Sequence, residues 1–152
     1  MNTLKIKVLF ISGFGPVVQD QKTSRKLYMD TLGLPLELME DGYVHTEGLE
    51  DGYLHTEVLE GVKHFALLPL SKAAQMCFGS AEWPKEFSVP QGWLELDVED
   101  VEAATKELEQ QGYKLFVSGR KEPWGQIVTR LLSPEGLLIG ITYTPWMRDN
   151  KK

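Results

Sequence analysis

The hydrophobic pattern along the chain runs through the same order of elements twice. Residues 5–11 carry the β-branched, partly alternating pattern of a strand. Gly13, Gly15 and Pro16 predict a break directly after it, with Val17 and Val18 resuming the strand. From Lys22 to Leu32 the pattern becomes helical, with Leu27, Tyr28, Thr31 and Leu32 at one-face spacing. Gly33 is placed to end that helix in the left-handed conformation. Strands are expected at 35–40, 43–47, 53–59 and 62–69. A second round opens with a strand from Trp93 to Val98. Asp100 then caps a helix over 101–111 whose Val101, Ala104 and Leu108 share a face, and Gly112 ends it. Strands at 113–118, 126–132 and 137–143 follow, separated by the turns Glu122-Pro123-Trp124-Gly125 and Ser133-Pro134-Glu135-Gly136.

Asp20 lies 13 residues before Gly33, and Asp100 lies 12 before Gly112, so the two rounds form an internal repeat with a period near 80 residues. Neither half is large enough to close a core alone. The pattern predicts an α+β fold over 1–152, with mostly antiparallel or mixed sheets packed side by side and curved around a cavity. Residues 5–70 would form one half, 92–145 the other, and 71–91 the connection. At 21 residues the connection is long for a compact domain unless it carries a helix or acts as a lid. Ser71 is placed to cap a short helix through Cys77. Trp83 and Phe87 are placed either to cover the cavity or to clasp a second subunit.

A sharper repeat sits inside the first half. Residues 40–49 (EDGYVHTEGL) recur at 50–59 as EDGYLHTEVL, with eight of ten positions identical, which points to a tandem duplication. Ten is even, so each copy keeps Tyr, His and Glu on one strand face. With the Asp-Gly turn signals, segment 40–59 reads as an elongated hairpin.

Composition narrows the function classes. The 152 residues are 42% apolar and 25% charged, with 22 acidic and 16 basic side chains and a formal net charge of −6. The acidic balance argues against nucleic acid, whose phosphates need a basic patch. No segment has the roughly 20 apolar residues of a membrane span, and residues 8–11 are too short for a signal peptide. The single Cys77 excludes an internal disulfide and any CxxC motif, so a cytoplasmic setting is expected.

Several motifs in register carry a family resemblance. They are Asp20 with Ser24, Tyr28 and Leu32-Gly33-Leu34, then Gly92-Trp93-Leu94-Glu95-Leu96-Asp97-Val98, Pro123-Trp124-Gly125 and Ser133-Pro134-Glu135-Gly136. With them, residues 5–145 resemble the vicinal oxygen chelate superfamily of glyoxalases, bleomycin resistance proteins and extradiol dioxygenases. The resemblance implies two βαβββ modules, an open cavity between curved sheets and a homodimer. It also places the metal ligands of the family's enzymes at Phe14, near Ala66 or Leu67, at Trp93 and at Gly140. None of these side chains binds a divalent ion. The resemblance therefore implies a chain without the usual metal site and with no cofactor predicted, in which aromatic residues replace ligands. The drug-sequestering members work this way, whereas the isomerases, lyases and dioxygenases need the ion.

The leading expectation is metal-independent binding or sequestration of a small aromatic compound, neutral or cationic, with antibiotic resistance as one use. Phe14, Trp93, Glu95, Trp124, Arg130 and Gly140 are the candidate ligand-binding residues. Glu95 stands beside Trp93 on one strand face and has two readings, a catalytic base or cation ligand, and a partner for Arg130. Arg130 lies among apolar neighbours and calls for an acidic partner or an anionic ligand. Gly140 would leave room for a ligand ring. The alternative is a metal-dependent lyase, isomerase or dioxygenase of the same fold, with a divalent metal as cofactor. The paired His45, Glu47, His55 and Glu57 are then candidate ligands, although surface residues of a hairpin are the simpler reading. A third class is a regulatory or structural dimer whose cavity is filled by its own side chains. His64 reads as a satisfied strand histidine and Cys77 as a packed thiol.

Overall fold

The computed structural model describes residues 6–39 and 52–148. Strand β1 (Val8–Val18) leads into helix α1 (Gln21–Arg25), which continues as a π-helical stretch, Lys26–Thr31. Strands β2 (Glu37–Met39), β3 (Tyr53–Thr56) and β4 (Phe65–Pro69) complete the first half, and helix α2 (Leu70–Phe78) follows. The second half runs β5 (Gly92–Val98), α3 (Val101–Gln110), β6 (Leu115–Lys121), β7 (Ile127–Leu132) and β8 (Leu137–Tyr143), then a 3₁₀ turn at Pro145–Met147. His45, Glu47 and the strand expected at 43–47 lie outside the described residues. The second copy of the duplicated decapeptide supplies β3.

The eight strands among the described residues join one mixed sheet in the order β2-β3-β4-β1-β5-β8-β7-β6. The halves are equivalent in layout. β1 runs parallel to β4, β5 runs parallel to β8, and the antiparallel β1–β5 pair joins the two. On the outer face α3 covers Val98, Leu131 and Ile141 with Val101 and Ala104, while Tyr28 and Met29 cover Val18, Leu54 and Leu67. On the inner face α2 packs Ala73, Met76 and Cys77 against Ala66, Leu68, Trp93 and Leu138. Because α2 touches β4, β1 and the distant edge strand β6, the sheet is curled over it without closing.

Both helix caps follow the acidic residues. Asp20 accepts hydrogen bonds from the Thr23 backbone N (3.2 Å) and Oγ1 (2.8 Å), and Asp100 accepts one from Ala103 N at 3.0 Å. The buried face of the first helix differs from the expected one. Tyr28 and Met29 pack inward, whereas Leu27 and Leu32 are exposed. The π-helical turn is the cause, since the Leu32 N–H bonds back five residues to Leu27 O (2.9 Å) and shifts the helical phase. The connection carries its helix from Leu70 rather than Ser71. Beyond it, Phe78, Trp83 and Phe87 form an aromatic cluster with Phe116 of β6 in the same chain.

The break expected at Gly13–Pro16 does not occur, and β1 runs through it with irregular register near Val8 and Ile11. Tertiary packing overrides the local turn signals. Phe14 N donates to His64 O (3.2 Å) and Val17 N to Gln91 O (3.0 Å), and Pro16, which has no N–H, stands between them. The glycines leave room for the Trp93 indole over β1 and for the close backbone of Ala66 on β4. A Cβ on Gly13 would meet Trp93 Cη2 at 2.9 Å, and one on Gly15 would meet Ala66 O at 2.0 Å and Trp93 Nε1 at 3.1 Å. The indole is buried at 5% exposure and donates to Ala66 O at 3.1 Å. Cys77 is buried in the same cluster, and burial pushes its thiol up to about 11 against the pull of Arg130 and Arg120. It is a packed, protonated thiol.

Truncating Trp93 removes the contact that ties β1, β4, β5 and α2 together. Trp93→Ala is expected to lower the unfolding free energy by about 3–5 kcal/mol, read from the midpoint of denaturant unfolding.

Candidate functional site

A cavity of about 190 Å³ opens between the first half's β3 edge and the second half's β6–β7 turn and C-terminal turn. Tyr53, Met76, Trp124, Trp146 and Met147 make its lining largely apolar and aromatic, and Ser12, His64, Glu95, Gln126 and Thr144 are its polar residues.

Each wall is held from beneath. Trp124 sits in the turn after Glu122, which is closed by Glu122 N donating to Gln126 O (2.7 Å) and Gly125 N to Glu122 O (2.9 Å). Gly125 takes φ 98° there, a value that favours glycine. Gln126 then acts as a junction. Its Oε1 accepts from Trp124 Nε1 (2.9 Å), and its Nε2 donates to Glu95 Oε1 (3.0 Å) and Thr144 Oγ1 (2.9 Å). Buried Asp97 secures the C-terminal turn by accepting from Thr142 Oγ1, Thr144 N (2.8 Å), Thr144 Oγ1 (2.7 Å) and Arg148 Nε (2.9 Å).

Under the cavity lies a chain of charges. Arg130, 2% exposed, donates through Nη1 to Glu95 Oε2 and through Nη2 to Glu122 Oε2, both at 3.3 Å. Burial pulls the guanidinium pKa down, but Glu95, Cys77 and Glu122 together carry it above its ordinary value, so Arg130 stays charged. Burial also pushes the Glu122 carboxyl up, against the opposing pull of Arg130. Both Glu95 oxygens therefore have partners, Gln126 on one and Arg130 on the other. These two contacts hold the carboxylate in place at the cavity wall, and each oxygen keeps a further lone pair.

Of the six candidate ligand-binding residues, the fold brings Glu95 and Trp124 to the cavity. Phe14 faces the outer side, packing edge-on against Phe65 at 5.6 Å, because the inward positions of β1 belong to Gly13 and Gly15 under Trp93. Trp93 is a plug of the core rather than a wall. Arg130 is covered by its two carboxylates. Gly140 makes room for the Glu95 side chain, since a Cβ there would meet Glu95 Cγ at 2.8 Å, and leaves none for a ligand ring. The positions that the family resemblance assigns to metal ligands offer no ligand atom, so no step through a metal at those positions is derived. Sequence reasoning missed Tyr53, Met76, Gln126, Trp146 and Met147. Gln126 directly follows the Pro-Trp-Gly turn, and Trp146-Met147 directly follows the last strand. Those adjacencies were the signals available.

On the β3 side, His55 and His64 stack at 5.5 Å between ring centres, with Tyr53 alongside both. His55 Nδ1 lies 2.8 Å from Glu57 Oε2, His64 Nδ1 contacts the same oxygen, and His64 Nε2 is 2.7 Å from Tyr53 Oη. Burial lowers the His64 pKa and outweighs the attraction of Glu57 and Glu95, so the neutral ring is favoured. His64 thus precedes β4 as a cavity residue and does not lie inside a strand.

A family model described as the Glyoxalase/Bleomycin resistance protein/Dioxygenase superfamily matches residues 13–141. Among solved structures, methylmalonyl-CoA epimerase from Mycobacterium tuberculosis is similar, with 17% identity, 97% of each chain covered and a TM-score of 0.54. A glyoxalase/bleomycin resistance protein/dioxygenase superfamily member from Vibrio splendidus 12B01 shares 15% identity over 90% of this chain and 97% of its own, with a TM-score of 0.51. At these identities the likeness is one of fold. A search of curated proteins gave no match.

Replacing Arg130 leaves the Glu95 carboxylate without its counter-charge and the buried Glu122 with a half-exposed arginine, Arg120, in place of a buried one. Arg130→Met is expected to cost about 3–5 kcal/mol of stability, and adding Glu122→Gln should recover part of the loss. Urea unfolding of both variants checks this.

Proposed function

The chain belongs to the glyoxalase/bleomycin resistance protein/dioxygenase superfamily, and from that premise we propose that it binds and sequesters a small aromatic compound in the cavity described above. The observation that carries the reading is the lining itself, in which Tyr53, Trp124 and Trp146 are joined by two flexible methionines around about 190 Å³. A cavity of roughly 150 Å³ accommodates benzene, whereas drug-sized ligands fill about 300–1,000 Å³. The size therefore suits a compound of one ring with a short substituent. Glu95 reaches the cavity already paired with Arg130, so a cationic ligand gains little from it, and a neutral ring with one donor for the Oε1 of Gln126, whose two N–H groups are already committed, fits better. Sequestration of such a compound needs no turnover, and nothing in the reading requires a metal on the central strands.

The proposal extends to assembly as a homodimer. Val8, Ile11 and Phe14 stand opposite Val98, Leu96 and Leu94, on the outer face, and are 50%, 52% and 42% exposed. A row of exposed apolar side chains on one central strand is the kind of surface a second copy covers.

The binding test is calorimetry together with tryptophan fluorescence against a panel of single-ring aromatics. Saturable binding at one site per chain is expected, and Trp124→Ala should weaken it by about 0.5–1.5 kcal/mol. A panel that leaves fluorescence and heat unchanged would sink the reading. For assembly, sedimentation is expected to show a dimer that Ile11→Asp converts to a monomer. A monomeric parent chain removes the dimer proposal.

A further inference from the structure

The cluster on β3 has a use that the aromatic cavity does not absorb. His55, Glu57 and His64 each offer a ligand atom, and these atoms lie within 4.8 Å of one another. Ligands at about 2.0–2.1 Å from a transition ion stand somewhat more than 3 Å apart, so a small adjustment suffices to enclose one. We propose that His55, Glu57 and His64 form a binding site for a divalent transition-metal ion at the rim of the cavity.

Four observations carry it. The donor set is two imidazoles and one carboxylate, a combination that takes zinc, cobalt, nickel or ferrous iron and discriminates against magnesium and calcium, which prefer oxygen donors only. The two rings are already placed, since both Nδ1 atoms converge on the same Glu57 oxygen. The outer contact also fits. With an ion at Nδ1, His64 turns its Nε2–H toward Tyr53 Oη, 2.7 Å away, the kind of hydrogen bond that orients a metal-bound histidine. Access is open, because Glu57 is 44% exposed while the two histidines are 13% and 14% exposed.

The site differs in position from the metal positions implied by the family resemblance. Those lie on the central strands, whereas His55 belongs to edge-side β3 and Glu57 and His64 to the turn linking β3 to β4. The turn is what assembles it. His55 and Glu57 stand two residues apart at the end of β3, and seven residues after Glu57 the chain returns His64 to the same spot. Since His64 also lines the cavity, the ion would stand beside a bound compound and supply a Lewis-acidic contact to one of its heteroatoms.

The proposal does not rest on the aromatic-ligand reading, because the metal alone is the probe. The full chain, without a histidine tag, is stripped with chelator and titrated with Zn²⁺ and Co²⁺ by calorimetry and, for Co²⁺, by visible absorption. One equivalent per chain is expected, with no heat from Mg²⁺. His64 has no duplicate in the chain, unlike the His-x-Glu pair, so His64→Ala should weaken binding at least 100-fold. Glu57→Gln, at an exposed position where folding is not at stake, should also weaken it at least tenfold. Titration without a stoichiometric site, or equal affinity in both variants, overturns the proposal.

Discussion

The position of the Trp93 indole is the constraint on which the rest of the structure depends. It lies flat across β1, hydrogen-bonds to the backbone of β4 and packs beneath α2, so one side chain joins both halves. Its ring crowds out a Cβ at Gly13, while the Ala66 carbonyl to which it bonds does so at Gly15. It also fills the centre of the curled sheet with hydrocarbon. The cavity therefore lies off-centre, between β3 and the C-terminal turn.

The second organising feature is electrostatic. Arg130 is a fully charged group inside the protein, and such a group persists only with close counter-charges. Glu95 and Glu122 supply them, and Gly140 provides the space that Glu95 needs to reach across. The result is a rigid, locally balanced base beneath an aromatic cavity. Glu95 is presented to that cavity as a hydrogen-bonding post, held from two sides, rather than as a free carboxylate. The same Gln126 that steadies Glu95 also fixes Trp124 and Thr144, so the polar network and the aromatic wall are built as one unit.

The duplicated decapeptide shows how a strand slot can be filled from a nearly redundant sequence. The second copy provides β3, with Leu54 in the outer core and Tyr53 and His55 facing inward. An insertion of ten residues preserves the alternation of faces, so the copy adjacent to β4 presents the same side chains that a single copy would. The identity of eight positions in ten meant that the pattern itself gave no reason to choose between them.

Local sequence was enough to determine the repeated order of strands and helices, both acidic helix caps, the glycine stops and the α+β class, because each depends on neighbours a few residues apart. It also named two residues that reach the cavity, Glu95 and Trp124. Tertiary structure decided what each of those residues does. Phe14 and Gly15 differ by one residue, and only the packing of a tryptophan nearly eighty positions away determines which of them faces inward. The π-helical turn likewise moved the buried face of the first helix away from the spacing of Leu27 and Leu32. The cavity's own residues, Tyr53, His64, Gln126 and Trp146, come from four separate segments. No spacing along the chain could have joined them, because the physical cause of their proximity is the curl of one sheet around a single buried indole.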